Sequence, residues 1–92
     1  MPSAPFLVPV DEQHIRTERA RARELRESQW WKRQRADGIC HYCGQNVGAR
    51  ALTMDHKLPI IRGGRSTRGN VVPACKPCND AKKHGSPLGW EP

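Results

Sequence analysis

Two groups of residues in this sequence have the types and spacing to do chemistry. One is the adjacent pair Asp55-His56, in the run Leu52-Thr53-Met54-Asp55-His56-Lys57-Leu58-Pro59. The other is a set of four cysteines in two pairs, Cys40-x-x-Cys43 and Cys75-x-x-Cys78, which bracket the first group. Asp55 offers a hard oxygen ligand, and His56 an imidazole that titrates near neutral pH and so can take a proton from water. A surface aspartate beside a turn histidine is the ordinary alternative for two such neighbours. Thiolates three positions apart on a tight turn suit one tetrahedral ion, with two disulfides as the alternative. Four protein thiolates leave no open coordination position, so the ion expected there is a structural zinc. His41 lies inside the first cysteine loop and is a bystander if the four cysteines complete the ligand set. A redox dithiol finds no support, because no thioredoxin-like βαβ pattern surrounds either pair.

The elements that must position these groups are few. With 92 residues, 36% of them hydrophobic and five aromatic, the chain can bury only a small core. Chains of this size usually need a staple, and the apparent binding free energy of such zinc sites, about 10–16 kcal/mol, is enough to decide whether the chain folds. The 31 residues from Gly44 to Ala74 leave room for a hairpin between the cysteine turns. Ala51 to His56 and Asn70 to Pro73 read as short antiparallel strands, joined by a turn-rich loop that contains Gly63-Gly64. Cys75 to His84 reads as a cysteine turn entering a helix, which Gly85 and Pro87 stop.

Upstream, Asp11 is a candidate N-cap for one long helix running to Ala36, with no Gly or Pro inside it and Asp37-Gly38 at its end. Its apolar stripe is thin: Ile15, Ala22, Leu25, then Trp30-Trp31. A helix this polar either crosses the domain surface or faces another macromolecule, and its tryptophans are expected to cover the metal core rather than stack on bases. Residues 1–10, with Pro2, Pro5 and Pro9, read as an extended lead-in, and residues 85–92 as a coil whose Trp90 can fold back on the domain.

Sixteen Lys and Arg against nine Asp and Glu give a net charge of +7, the electrostatic footprint of a polyanion partner. The first ten residues lack the basic region of a signal peptide, so the expected compartment is a reducing cytoplasm, and no apolar run is long enough to span a membrane.

Several ordered pieces carry a resemblance: Cys40-His41-Tyr42-Cys43-Gly44, the Leu52–Pro59 run, Gly63-Gly64, Asn70-Val71-Val72-Pro73-Ala74-Cys75, and Cys78-Asn79-Asp80-Ala81-Lys82. Over about residues 36–84 the chain resembles the HNH endonuclease family; residues 1–35 lie outside the resemblance. It implies a small α+β fold, a ββα-metal motif stabilised by a four-cysteine zinc site (Cys40, Cys43, Cys75, Cys78) and preceded here by a long N-terminal helix. The implied layout is a lead-in (1–10), a basic helical arm (11–36), the nuclease domain (37–84) and a tail (85–92). By the same resemblance His56 is the general base that activates water, Asp55 and Asn79 hold a catalytic divalent ion, and Asn70 holds the strands and the His56 loop in place. The family's third histidine is here Asn79, an HNN-type variant similar to recombination endonuclease VII. An amide oxygen favours Mg2+ or Mn2+. Lys57, Arg62, Arg65, Arg68, Lys76, Lys82 and Lys83 would line the phosphate path. The implied activity is metal-dependent hydrolysis of DNA phosphodiester bonds with low sequence specificity, a monomer nicking one strand and a dimer able to cut both. The competing reading is a non-catalytic zinc module that binds nucleic acid or protein. That module accounts for the cysteines and the charge but not for Asp55, His56, Asn70 and Asn79 occurring together. One tension remains, because neighbouring strand residues point to opposite faces. Either the backbone bends at His56 or the ion lies at the strand's end.

Overall fold

A computed structural model of the chain describes residues 11–84, with the side chains of Lys83 and His84 left aside. The lead-in 1–10 and the tail 85–92, including Trp90, lie outside the described residues.

The chain enters helix α1, Glu12–Glu27, through Asp11, whose carboxylate accepts from the His14 N–H at 2.8 Å. This satisfies one of the amide donors that every helix leaves open at its start. The expected single helix is broken at Ser28, where the backbone is extended (φ −74°, ψ 152°). Ser28 Oγ donates to the Leu25 carbonyl at 2.6 Å and accepts from the Trp31 N–H at 3.1 Å. One hydroxyl thus closes α1 and caps a second helix, α2, Gln29–Gln34. Serine competes with the helical ladder in this way wherever its hydroxyl finds main-chain partners.

After the turn at Gly38 the first cysteine loop is pinned by an isolated bridge between Ile39 and Asn46. Strand β1, Leu52–His56, then pairs antiparallel with β2, Val71–Cys75, in a register running from Leu52 opposite Cys75 to His56 opposite Val71. Two strands alone are marginal in water. Here β2 is buried at Val71, Val72, Ala74 and Cys75, and helix α3, Lys76–His84, packs against both strands. The core cluster joins Cys40, Leu52, Ala74, Cys75 and Cys78, with Tyr42 packed against it. Three of these five residues are metal-ligand types, so the hydrophobic core and the cysteine site are one object.

The loop between the strands turns through Ile60–Arg62 and then Gly63, at φ +95°. At Gly64 a Cβ would lie 1.7 Å from the Leu58 carbonyl oxygen, a distance no side chain tolerates. The Gly63-Gly64 pair therefore answers two separate demands, a left-handed backbone and a close approach. The two tryptophans of α2 divide: Trp31 is buried, lining a groove with Leu52 and Met54, whereas half-buried Trp30 carries the Arg68 guanidinium 5.3 Å above its ring.

The architecture is the small α+β one expected from the sequence: helices, a two-stranded antiparallel sheet, a following helix, and clustered cysteines. Among the described residues no helix is long and apolar enough to cross a membrane.

Candidate active site

The cysteine pairs meet because the first loop folds back on the junction of β2 and α3. All four Sγ atoms lie within 4.8 Å of one another, with Cys43 and Cys75 sulfurs 3.9 Å apart and no disulfide among them. A tetrahedral ion with metal–sulfur bonds of ~2.3 Å needs sulfurs ~3.8 Å apart, so the cage has the right size for one ion. Burial pushes the Cys40 thiol up, but the backbone N–H groups of Cys43, Cys75 and Tyr42 outweigh it and bring the thiol down to about 6. Burial and the neighbouring sulfurs push Cys78 the other way. A cation bound in the cage would favour the thiolate of Cys78, which its neighbours and burial otherwise oppose.

Asp55 and His56 leave β1 on opposite faces, as neighbouring strand residues do. On one face Asp55 is buried, 5% exposed, and its Oδ2 accepts from the Tyr42 hydroxyl at 2.5 Å and from Lys82 Nζ at 2.9 Å. Lys82 also donates to the main-chain carbonyls of His56 at 2.5 Å and Lys57 at 3.0 Å. A carboxylate and two carbonyls therefore converge on one cationic point at the end of the strand. Burial, followed by the hydrogen bond to Asp55, raises the Tyr42 hydroxyl well above the usual phenol range and keeps it a donor. One turn before Lys82 on α3, Asn79 donates to Thr53 Oγ1 at 3.1 Å. Thr53 and Asp55 share a face of β1, so α3 brings Asn79 and Lys82 to the face that carries Asp55.

On the other face His56 Nε2 lies 2.9 Å from the hydroxyl of Ser66, which is itself buried. Burial lowers the pKa of the imidazole; Asp55 opposes this, and Arg26 and Lys82 reinforce it. The ring is thereby held in its neutral, proton-accepting form near neutral pH.

Asn70 stitches the start of β2 to the loop after β1. Its Oδ1 accepts from the Leu58 N–H at 2.9 Å, and its Nδ2 donates to the carbonyls of Leu58 at 3.0 Å and Arg65 at 2.8 Å. Lys57, Arg62, Arg65 and Arg68 are exposed, whereas Lys82 is drawn into the Asp55 site and Lys76 lies 3.4 Å from Asp80. Lys83 has its side chain outside the described part.

Sequence reasoning missed Tyr42, Ser66 and Glu18. Glu18 is 3% exposed; its Oε1 accepts from the Ser66 N–H at 2.6 Å and its Oε2 from Arg21 at 3.1 Å. A signal was present, since Glu18 stands three after Ile15 and four before Ala22, on the thin apolar stripe of α1. A carboxylate on the buried face of a basic helix calls for a specific partner.

A hairpin whose first strand ends in Asp-His, a helix packed on it and a four-cysteine cage of a size for one metal ion together define a ββα architecture of the kind expected from the sequence. The HNH endonuclease profile matches residues 40–85, half of the chain, and the chain belongs to that family. It is also 35% identical over 52 residues to the CRISPR-associated endonuclease Cas9 of Actinomyces naeslundii, a match covering 55% of this chain and 5% of that relative. The chain thus spans only a small part of the curated relative it matches.

Proposed function

We propose that this protein is a DNA endonuclease that hydrolyses phosphodiester bonds with the help of a divalent ion, nicking one strand per active centre with little sequence preference. The observation that carries this reading is the convergence of the Asp55 carboxylate with the His56 and Lys57 carbonyls at the end of β1, with the His56 ring on the adjoining face. Oxygen donors already gathered around a cation suit a hard ion, so Asp55, with Asn79 beside it, is the set that would hold Mg2+ or Mn2+. When bound, that ion supplies Lewis acidity to the phosphate and the leaving 3′ oxygen. Neutral His56 accepts the proton of the attacking water. Asn70 keeps the loop that follows His56 against the strand, and the cysteine cage holds a structural zinc. Arg62, Arg65, Arg68 and Lys57 meet phosphates rather than base edges, which gives affinity without sequence information.

The test is supercoiled plasmid incubated with Mg2+ or Mn2+. Wild type should yield nicked circles and His56→Ala should not; indistinguishable products from the two would sink the assignment.

One observation favours a second reading. Lys82 fills the oxygen cradle with its own ammonium, as suits a non-catalytic zinc module that binds nucleic acid or protein through its surface charge. Titration of the zinc-loaded protein with Mn2+ separates the two, since the enzyme takes up a further ion and the module does not.

A further inference from the structure

We propose that α1 belongs to the catalytic apparatus: through Glu18 and Ser66 it fixes which nitrogen of His56 carries the proton, leaving Nδ1 as the atom that accepts the proton of water. The inference rests on the nuclease reading for its consequence, but the relay itself is a matter of hydrogen-bond geometry.

A serine hydroxyl has one proton to give. Ser66 Oγ lies 2.6 Å from the main-chain carbonyl of Glu18, which can only accept, so the hydroxyl proton points there. Toward His56 the same oxygen presents a lone pair, and the 2.9 Å contact with Nε2 is then an N–H donation from the ring. The neutral imidazole has a single ring proton, so Nδ1 is bare. A base oriented by a hydrogen bond at its other nitrogen follows the logic of other catalytic histidines, here built from a serine and a helix carbonyl.

The serine is held so that it has no other choice. Its main-chain N–H donates to Glu18 Oε1 at 2.6 Å while its hydroxyl donates to Glu18 O, so one residue of α1 grips both ends of it. Both residues are buried, Glu18 at 3% and Ser66 at 9% exposed, which keeps water from competing. One helical turn earlier, His14 Nε2 lies 3.0 Å from the Gly64 carbonyl, a further contact between α1 and the same loop. A carboxylate buried on an otherwise polar helix needs partners that compensate its desolvation, and Glu18 has the Ser66 N–H at Oε1 and the Arg21 guanidinium at Oε2.

In the reaction the water O–H bond breaks as an N–H bond forms at Nδ1. The hydroxide oxygen bonds to phosphorus, the P–O3′ bond breaks, and the leaving oxygen takes a proton from solvent. The ring returns its proton to solvent afterwards. Ser66 and Glu18 touch neither water nor DNA in this scheme and are positioning residues.

The experiment reads the ring directly. Long-range 1H–15N spectra of 15N-histidine protein, with the His56 signals identified by their loss in His56→Ala, should give a protonated Nε2 and an unprotonated Nδ1. The opposite pattern, or averaged shifts in wild type, overturns the relay whether or not the protein cuts DNA. Ser66→Ala should mix the two tautomers and lower kcat about 10- to 100-fold, the range typical when the hydrogen-bond partner of a metal-bound histidine is removed, with KM for a short duplex unchanged. Ser66→Thr, which keeps the hydroxyl, should restore both the shifts and the rate. If Ser66→Ala retains wild-type shifts and rate while His56→Ala is inactive, the nuclease reading stands and the relay falls. If wild type shows the expected shifts but no cleavage, the relay stands and the nuclease reading falls.

Discussion

The ammonium of Lys82 lies 2.9 Å from Asp55 Oδ2, with the Lys82 side chain 18% exposed and that of Asp55 5% exposed. Removing one partner of a pair this deeply placed leaves the other as an uncompensated charge, at about 3–5 kcal/mol. Lys82→Met should therefore lower the Tm of the zinc-loaded protein. It should also make Mn2+ raise the Tm more than in wild type, because the ion no longer competes with the ammonium for Oδ2. Equal Mn2+ shifts in the two proteins would mean that the ion binds elsewhere.

Zinc removal should abolish the fold. Cys40, Cys75 and Cys78 are three of the five residues of the core cluster, so without the ion that joins them the thiols lose what holds them together there. Circular dichroism before and after a strong zinc chelator is the measurement, with loss of the cooperative thermal transition expected. A chelated protein that keeps its transition would show that the apolar residues suffice.

The pH dependence follows from the burial of His56, which lowers its pKa from the ordinary value of 6.5. Single-turnover cleavage should rise with pH through a midpoint below ~6.5, since the base is neutral earlier than a free histidine. The same shift enters stability with a definite sign. Below ~6.5 the unfolded chain protonates this ring more readily than the folded one, so stability falls as pH drops through the folded value and is unaffected well above it. His56→Gln should flatten that limb of the stability profile. A rate midpoint above 6.5 would show that the neighbouring carboxylates outweigh burial.

At Gly64 an added methyl group would meet the Leu58 carbonyl at 1.7 Å. Gly64→Ala should destabilise the protein by about 1–3 kcal/mol, the range for overpacking, and displace the loop that holds Ser66. Denaturant unfolding checks the first part; an unchanged midpoint would mean that the loop yields freely.

The exposed arginines of the loop should act as phosphate contacts. Arg65→Ala is expected to weaken DNA binding evenly across sequences and to reduce the slope of log affinity against log salt by about 1. A change confined to one DNA sequence would instead indicate base readout.

How much of this could be read beforehand depended on whether the signal was local. The cysteine cage, both strands and α3 follow from spacing and turn residues that lie close together in the chain. The break at Ser28 is not legible in the sequence, because a serine inside a charged run looks like surface until its hydroxyl bonds to Leu25 and Trp31. Glu18 and Ser66 are 48 positions apart, and nothing near either residue names the other. In the sequence Lys82 reads as a phosphate-path cation; that Asp55 and two strand-end carbonyls surround it depends on the packing of α3 on β1. The divergence of Asp55 and His56, by contrast, follows from strand geometry alone.

The grip of α1 on Ser66 bears on what counts as a portable part. The stretch shared with other HNH proteins starts at residue 40, yet the serine inside it is held by residue 18. A graft of the shared stretch alone into another scaffold would transfer Asp55, His56 and the cysteine cage while leaving behind Glu18, which by the proposed relay orients the His56 ring. The family match begins at residue 40, and the two hydrogen bonds that grip Ser66 come from upstream of that boundary.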